Sequence, residues 1–343
     1  MIGNPAYPTF QVFLAIGVAA LVTGLLMPFF IRLMRYEGVG QQIRADGPQR
    51  HLVKQGTPTM GGVIILVGVL ASCALVAEWT PGLILAVGTT LVTGSLGLLD
   101  DIESVAHGRS LGLTPSQKMA GLILISVVFC LVAVNVCGVA PTISLPGGFV
   151  IDLGVLSTTL ELGGAAVSIP WLYLVFVFLL MAGLSNAVNL TDGLDGLAGG
   201  CTMVVMLFMA MVAFIYNELD LAILAGAIAG ACVGFLWHNC YPASIFMGDT
   251  GSLALGAALA SLAVLTKTEV TSLIMGGVFV CETLSVMIQV TSFKLTGKRV
   301  FLMTPIHHHF EQMGWAENKV VIRFWIVTAA FASLGFALYF QLG

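Results

Sequence analysis

Unbroken apolar runs of about 20 residues recur along this chain, and a helix of that length crosses a hydrocarbon core of about 30 Å. The runs do not alternate apolar with polar residues, so membrane-spanning strands are excluded as the main element. Of the 343 residues, 58% are hydrophobic and 9% charged, against about 25% charged in ordinary soluble domains. A soluble globular enzyme is excluded on that ground, and a disordered chain by its wealth of apolar residues. The formal charge is −4 and no Lys/Arg-dense tract appears, which excludes a basic nucleic-acid binder and any nucleic-acid partner.

Apolar runs bounded by charge, Pro or Gly predict ten transmembrane helices, at 10–33, 59–77, 82–99, 117–137, 170–188, 197–216, 220–237, 251–266, 271–293 and 320–341. The expected fold is an all-α polytopic membrane protein forming one integral membrane domain over 1–343. The first run, Phe10 to Ile31, is too long for a signal-peptide core and ends at Arg32 and Arg35, so it reads as a retained helix. Between Pro141 and Ile169, β-branched residues and Gly pairs predict a small hairpin outside the membrane. The seven cysteines are scattered through apolar runs without metal-type spacing and read as packing residues.

Ten spans put both termini on one side and divide the loops into two sets. The set at about 34–58, 100–116, 189–196, 238–250 and 294–319, with its edges, holds twelve of the thirteen basic residues. Only Lys267 falls in the other set. By the positive-inside rule these five loops face the cytoplasm and both termini lie outside. All six histidines and Asp100, Asp101, Asp192, Asp195 and Asp249 fall in or beside the same loops. Glu282 is left inside a span, where it needs a partner or water.

Each loop offers a chemical reading beside a plain one. Asp100-Asp101, at a helix exit, is either a magnesium and phosphate site containing a candidate base or a solvated acidic helix end. The run Asn186 to Gly200 concentrates Asn, Asp and Gly, residue types suited to nucleotide edges and phosphates. A tight turn and a helix cap account for its glycines and one Asp, but not for Asn186 and Asn189 on one helical face. Asp249, flanked by Gly248 and followed by Thr250 and Ser252, either receives a metal-bound anion at a helix N-terminus or caps that helix. His307-His308-His309 has poor spacing for zinc and suits phosphate hydrogen bonding better. In the first loop Lys54, Thr57, Thr59 and Gly61-Gly62 are either phosphate ligands or an ordinary turn. Five loops with one bias make accidental clustering the weaker account.

The strings Asp100-Asp101, Asn186 to Gly196, Phe246 to Ser252 and Pro305 to Glu311 resemble those of the polyprenyl-phosphate N-acetylhexosamine-1-phosphate transferases. The histidine string and Gly56 to Gly62 look like the muramoyl-pentapeptide branch of that family, and the resemblance covers nearly the whole chain. It implies transfer of phospho-N-acetylmuramoyl-pentapeptide from UDP-N-acetylmuramoyl-pentapeptide to undecaprenyl phosphate, giving lipid I and UMP in peptidoglycan synthesis. It further implies Mg2+, a homodimer and a bacterial plasma-membrane location with a cytoplasmic active site. By similarity Asp249 ligates Mg2+, and Asp100 and Asp101 deprotonate or position the lipid phosphate and assist the metal. Asn189, Asp192, Gly193, Leu194, Asp195 and Phe246 line a uridine pocket with Asn186 nearby. Lys54, Lys118, Asn239, His307 and His308 contact phosphate or the sugar-peptide moiety, with His307 counted among the catalytic groups. One position departs: the family commonly has Lys three residues after the second Asp, and here it is Ser104, so that either Arg109 or Lys118 supplies that charge or the Lys is dispensable.

The implied chemistry brings two phosphate anions together, so it demands charge neutralisation and positioning more than covalent help. The nearest competing reading uses UDP-N-acetylglucosamine as donor. A transporter or flippase would require paired repeats and mid-membrane polarity, whereas polarity here gathers at one face.

Overall fold

The computed structural model describes residues 7–40, 54, 56–107, 112–162 and 165–341. Arg44, Arg50, His51 and Arg109 lie outside the described residues. The apolar runs fold as α1 (Pro8–Tyr36), α2 (Gly62–Val76), α3 (Pro81–Ala106) and α4 (Pro115–Asn135), followed by four short strands. The chain continues through α5 (Trp171–Thr191), α6 (Leu197–Ile215), α7 (Leu219–Asn239), α8 (Gly248–Leu265), α9 (Glu269–Met275), α10 (Gly277–Thr296), α11 (Ile306–Gln312) and α12 (Glu317–Gln341). Among the described residues nine helices are long and apolar enough to cross a membrane; α2 is apolar but shorter, at 15 residues.

Starts are encoded locally. Pro opens α1, α3 and α4, where its missing N–H costs nothing. Thr114 and Gln117 form a reciprocal capping box on α4. Three of the helix ends that differ from the sequence expectation bear on the site. α3 runs to Ala106 instead of stopping near 99, since Asp100 to Ala106 contains neither Gly nor Pro, and the two aspartates therefore stand on helix, not loop. α5 reaches Thr191, and α8 begins at Gly248, so Asp249 lies in its first turn. The expected span at 271–293 is broken at Gly276 into α9 and α10, consistent with the low helix propensity of the Gly276-Gly277 pair.

The expected single hairpin is two antiparallel hairpins. β1 (Thr142–Ser144) pairs with β2 (Val150–Asp152), and β3 (Ser157–Leu162) pairs with β4 (Ala165–Pro170). Lys267, the exception to the charge asymmetry, donates to Ala140 O and Thr142 O at β1 and pairs with buried Glu269 at 2.6 Å. Of the cysteines, Cys73, Cys130, Cys201 and Cys232 are buried as expected, while Cys240 and Cys281 are exposed.

α7 and α8 are the most enclosed helices; α1, α4, α10 and α12 carry the exposed apolar surface. α7 packs on α1 and α6, and α8 packs on α3 and α5. Small residues set these distances, as expected where lipid supplies no hydrophobic drive between helices. A Cβ on Gly230 of α7 would lie 2.1 Å from Ile16 O of α1. One on Gly97 of α3 would lie 2.2 Å from Asp249 O of α8, so Gly97 sets how closely the two aspartate-bearing helices approach.

Gly97→Ala is expected to cost about 1–3 kcal/mol through overpacking and to lower the midpoint of thermal unfolding in detergent. Gly88→Ala on the same helix meets nothing within 4 Å and serves as the control. Equal midpoints for the two variants would contradict the close α3–α8 contact.

Candidate active site

The two adjacent aspartates of α3 have different surroundings. Asp101 is buried and accepts from Asp249 N and Thr250 N, both at 3.0 Å, and from Thr250 Oγ1 at 2.6 Å. It thus satisfies amides at the N-terminus of α8, where a carboxylate is favoured by the orphan N–H groups and the helix dipole. Gly248, at φ +75°, makes this approach possible, because a Cβ there would lie 2.5 Å from Asp101 Oδ2. Asp100, one residue earlier and therefore turned by about 100°, accepts from Leu113 N at 2.8 Å and faces Lys118.

Lys118 of α4 joins α3 to α8. Its Nζ lies 2.6 Å from Asp249 Oδ2 and 3.2 Å from Asp100 Oδ1. The other oxygen of Asp249 accepts from Asn189 Nδ2 of α5 at 2.7 Å, and the same amide reaches Ser252 Oγ at 2.9 Å. Lys118 thus sets one ammonium between Asp100 and Asp249. Asp192, just past α5, has its pKa pushed up to about 8 by burial, then by the charges of Asp249, Asp101 and Asp195. Both effects favour its neutral acid form, which can donate a hydrogen bond.

A second cluster adjoins the first through the Asp192–Asp195 turn. Asp195 Oδ1 pairs with Lys54 Nζ at 2.7 Å and its Oδ2 accepts from Ala243 N at 2.9 Å. Glu317 Oε1 at the start of α12 takes Lys54 Nζ at 2.5 Å and Asp195 N at 2.9 Å. Asn239 is buried and bonded at both ends of its amide to backbone, accepting from Gly196 N and donating to Ile245 O. It thereby ties the Gly196 turn to the Ile245 backbone. The Pro58 to Gly62 string pairs with the 246–247 backbone through Phe246 N to Pro58 O, Gly61 N to Phe246 O and Gly62 N to Met247 O. That string fixes Phe246, which is half-buried, while Leu194 is buried beneath the turn. Asn186 donates to Ala182 O of its own helix.

The histidines form α11. His307 is fully buried, and its Nδ1 lies 3.1 Å from Oε1 of Glu282, equally buried on α10. Glu282 thus has the partner its position demanded. His307 Nε2 has no hydrogen-bond partner among the described residues and points at Gly193, where a Cβ would come within 2.3 Å. A carboxylate at Nδ1 calls for an N–H there, which in the neutral ring makes Nε2 the acceptor. His308 Nδ1 lies 2.7 Å from Glu311 Oε2, and the His307 and His308 ring centroids are 4.1 Å apart.

The sequence-predicted residues on α3, α4, α5 and α8 thus meet around Asp249, and those of the Asp195 turn meet around Lys54. Sequence reading missed Glu317 and the His307–Glu282 pairing; only the isolation of Glu282 in an apolar run signalled either. Among the described residues no three His, Cys, Asp or Glu side chains form a closed metal cage. Yet Asp100 and Asp249 already converge on one cationic point, the Lys118 ammonium. A hard ion such as Mg2+ uses one or two carboxylates and completes its shell with water and phosphate oxygens, so this donor set fits it.

The chain is similar to known proteins over nearly its whole length. The model of glycosyl transferase family 4 matches residues 83–267, and phospho-N-acetylmuramoyl-pentapeptide-transferase signature 1 matches residues 54–66. The chain is 47% identical over 331 residues to the phospho-N-acetylmuramoyl-pentapeptide-transferase of Rubrobacter xylanophilus, covering 96% of this chain and 98% of that one. To the protein of the same name from Desulforudis audaxviator it is 48% identical over 337 residues, covering 95% and 97%. To that from Shouchella clausii it is 45% identical over 327 residues, covering 94% and 95%.

The buried pair on α10 and α11 makes its own prediction. Glu282→Ala strands the His307 ring nitrogen and is expected to cost about 1–3 kcal/mol. In a double-mutant cycle the added loss from His307→Ala should then be smaller than in the wild-type background. Additive losses, read from thermal unfolding, would mean that the two side chains do not interact.

Proposed function

The chain belongs to glycosyl transferase family 4, among the phospho-N-acetylmuramoyl-pentapeptide-transferases, multi-pass membrane enzymes of peptidoglycan synthesis, and from that premise we propose its reaction in detail. The donor is UDP-N-acetylmuramoyl-pentapeptide and the acceptor undecaprenyl phosphate. A lipid phosphate oxygen bonds to the sugar-linked phosphorus, and the oxygen bridging the two donor phosphates leaves with UMP. The product is lipid I. The reaction takes place at the cytoplasmic face of the bacterial plasma membrane, with both termini of the chain outside, and the enzyme acts as a homodimer. The observation that carries this reading is the convergence of Asp100, Lys118, Asn189 and Asp249 from four helices, at the membrane-exit end of α3.

Asp249 and Asp100 would hold Mg2+, which would supply charge neutralisation for the diphosphate. Asp101 is committed to the α8 amides and the Thr250 hydroxyl, so it positions Asp249. Asp100, whose ties are Leu113 N and Lys118, is then the carboxylate that positions or deprotonates the lipid phosphate. Lys118 supplies a fixed positive charge where the two phosphates approach. Asp192 donates its acid proton to a uracil carbonyl, and Phe246, Gly193 and Leu194 shape the base pocket. Asp195 and Lys54 hold the turn that carries Asp192, and His307 supports Gly193 from beneath, with His308 beside it.

The direct test is UMP release from the UDP-linked donor by purified protein with a polyprenyl phosphate. Asp249→Asn is expected to lower kcat about 100-fold or more by removing one charge from the phosphate site. No release by the wild type with Mg2+ present would overturn the proposal, and faster turnover of UDP-N-acetylglucosamine would move the enzyme to the neighbouring donor class.

The acid form of Asp192 gives a pH signature. Its raised pKa keeps the donating proton below about pH 8 and loses it above. Donor KM should therefore rise as pH passes from 7 to 9, and Asp192→Asn, which keeps an N–H donor at every pH, should flatten that rise. A flat wild-type profile would contradict the assigned role.

A further inference from the structure

We propose that a groove beside α11 binds the terminal carboxylate of the donor's peptide, a reading that rests on the reaction proposed above. The groove, about 560 Å³ in volume, runs along α10 and the 297–305 loop to the end of α11. Lys294, Arg299, Thr304 and Gln312 contribute its polar lining, Phe293 and Leu302 part of its apolar floor, and no acidic residue lines it. Neither Lys294 nor Arg299 has an ion-pair partner among the described residues. Two cations with unspent donors therefore face the same cavity.

The loop presenting Arg299 is tied down on two sides. Gln289 of α10 accepts from Val300 N and Phe301 N at 2.9 Å and donates to Phe301 O at 3.0 Å. Leu302 N donates to His309 Nδ1 of α11 at 3.2 Å. The guanidinium is thus carried on a braced backbone, which lowers the ordering cost of binding.

Chemistry and reach identify the occupant. A muramoyl group acylates the peptide at its N-terminus, so the far end of the pentapeptide is a carboxylate, the anion a planar guanidinium binds bidentately. α11 spans seven residues, about 10 Å at 1.5 Å per residue, and joins His307, under the Gly193 turn, to Gln312 at the groove. An extended pentapeptide covers about 17 Å. A donor whose nucleotide and sugar occupy the Asp192–Gly193 side can therefore lay its peptide past α11 and set its carboxylate between Arg299 and Lys294.

The test is steady-state kinetics of Arg299→Gln and Lys294→Gln with the full donor and with a UDP-N-acetylmuramic acid donor lacking the peptide. Each variant is expected to raise KM for the pentapeptide donor about tenfold, and to collapse the preference for that donor over the peptide-free one. Arg299→Lys should recover part of the loss. An unchanged pentapeptide KM, an equal loss with both donors, or a rise confined to the KM of the polyprenyl phosphate would each overturn the proposal, the last reassigning the cations to the lipid phosphate. Should the wild type turn over neither donor, the proposed reaction fails instead. The groove is then judged by equilibrium binding of an N-acylated pentapeptide, which must exceed that of its C-terminal amide and fall in Arg299→Gln; equal binding of the two peptides overturns it.

Discussion

The site depends on one carboxylate placed against one helix end. Asp101 of α3 satisfies two backbone amides and a hydroxyl at the N-terminus of α8, groups that have no intrahelical partner and are costly when withdrawn from water. That contact sets the rotation and depth of α8 against α3, and so aims the Asp249 side chain at Lys118 and Asn189. The close approach at Gly97 and the left-handed backbone at Gly248 serve the same contact. An aspartate pair that looks duplicated is thereby divided, Asp101 toward the fold and Asp100 toward the site.

The same low-dielectric logic explains the rest of the polar architecture. A chain with 9% charged residues cannot leave many of them unpaired where water is scarce. Lys54 is shared by Asp195 and Glu317, Lys118 by Asp100 and Asp249, and Glu282 is matched by His307. The groups left with capacity are therefore informative. Burial first, and then three neighbouring carboxylates, push the Asp192 pKa up, and His307 Nε2 is aimed at the Gly193 turn without a hydrogen-bond partner among the described residues.

Much of the fold was legible in the sequence because lipid permits few alternatives: a 20-residue apolar run is a helix, since every backbone group must be satisfied within it. Helix ends were less legible. α3 continued through Asp100 and Asp101 because those charges find partners on α4 and α8, and α9 parted from α10 at a glycine pair inside an uninterrupted apolar run. The residues of the site were legible as a set, since Asp, Asn and His stand out in an apolar chain and their strings resemble a known family. Their division of labour was not. Asn239 and the Pro58 to Gly62 string hold neighbouring backbone in place, and Glu317 at the start of α12 carried no signal in its local surroundings.

The sequence by itself determined that the chain is a helical membrane protein, about where its spans lie and which polar side chains stand out from them, because hydropathy and residue type are local quantities. The tertiary structure alone decided which carboxylate faces which cation, that Glu282 belongs to His307 and that Lys54 belongs to Asp195 and Glu317. Those pairings join residues from 18 to 263 positions apart. They follow from how closely helices pack and how each is rotated, and pairwise contact between distant helices is written in no single stretch of the chain.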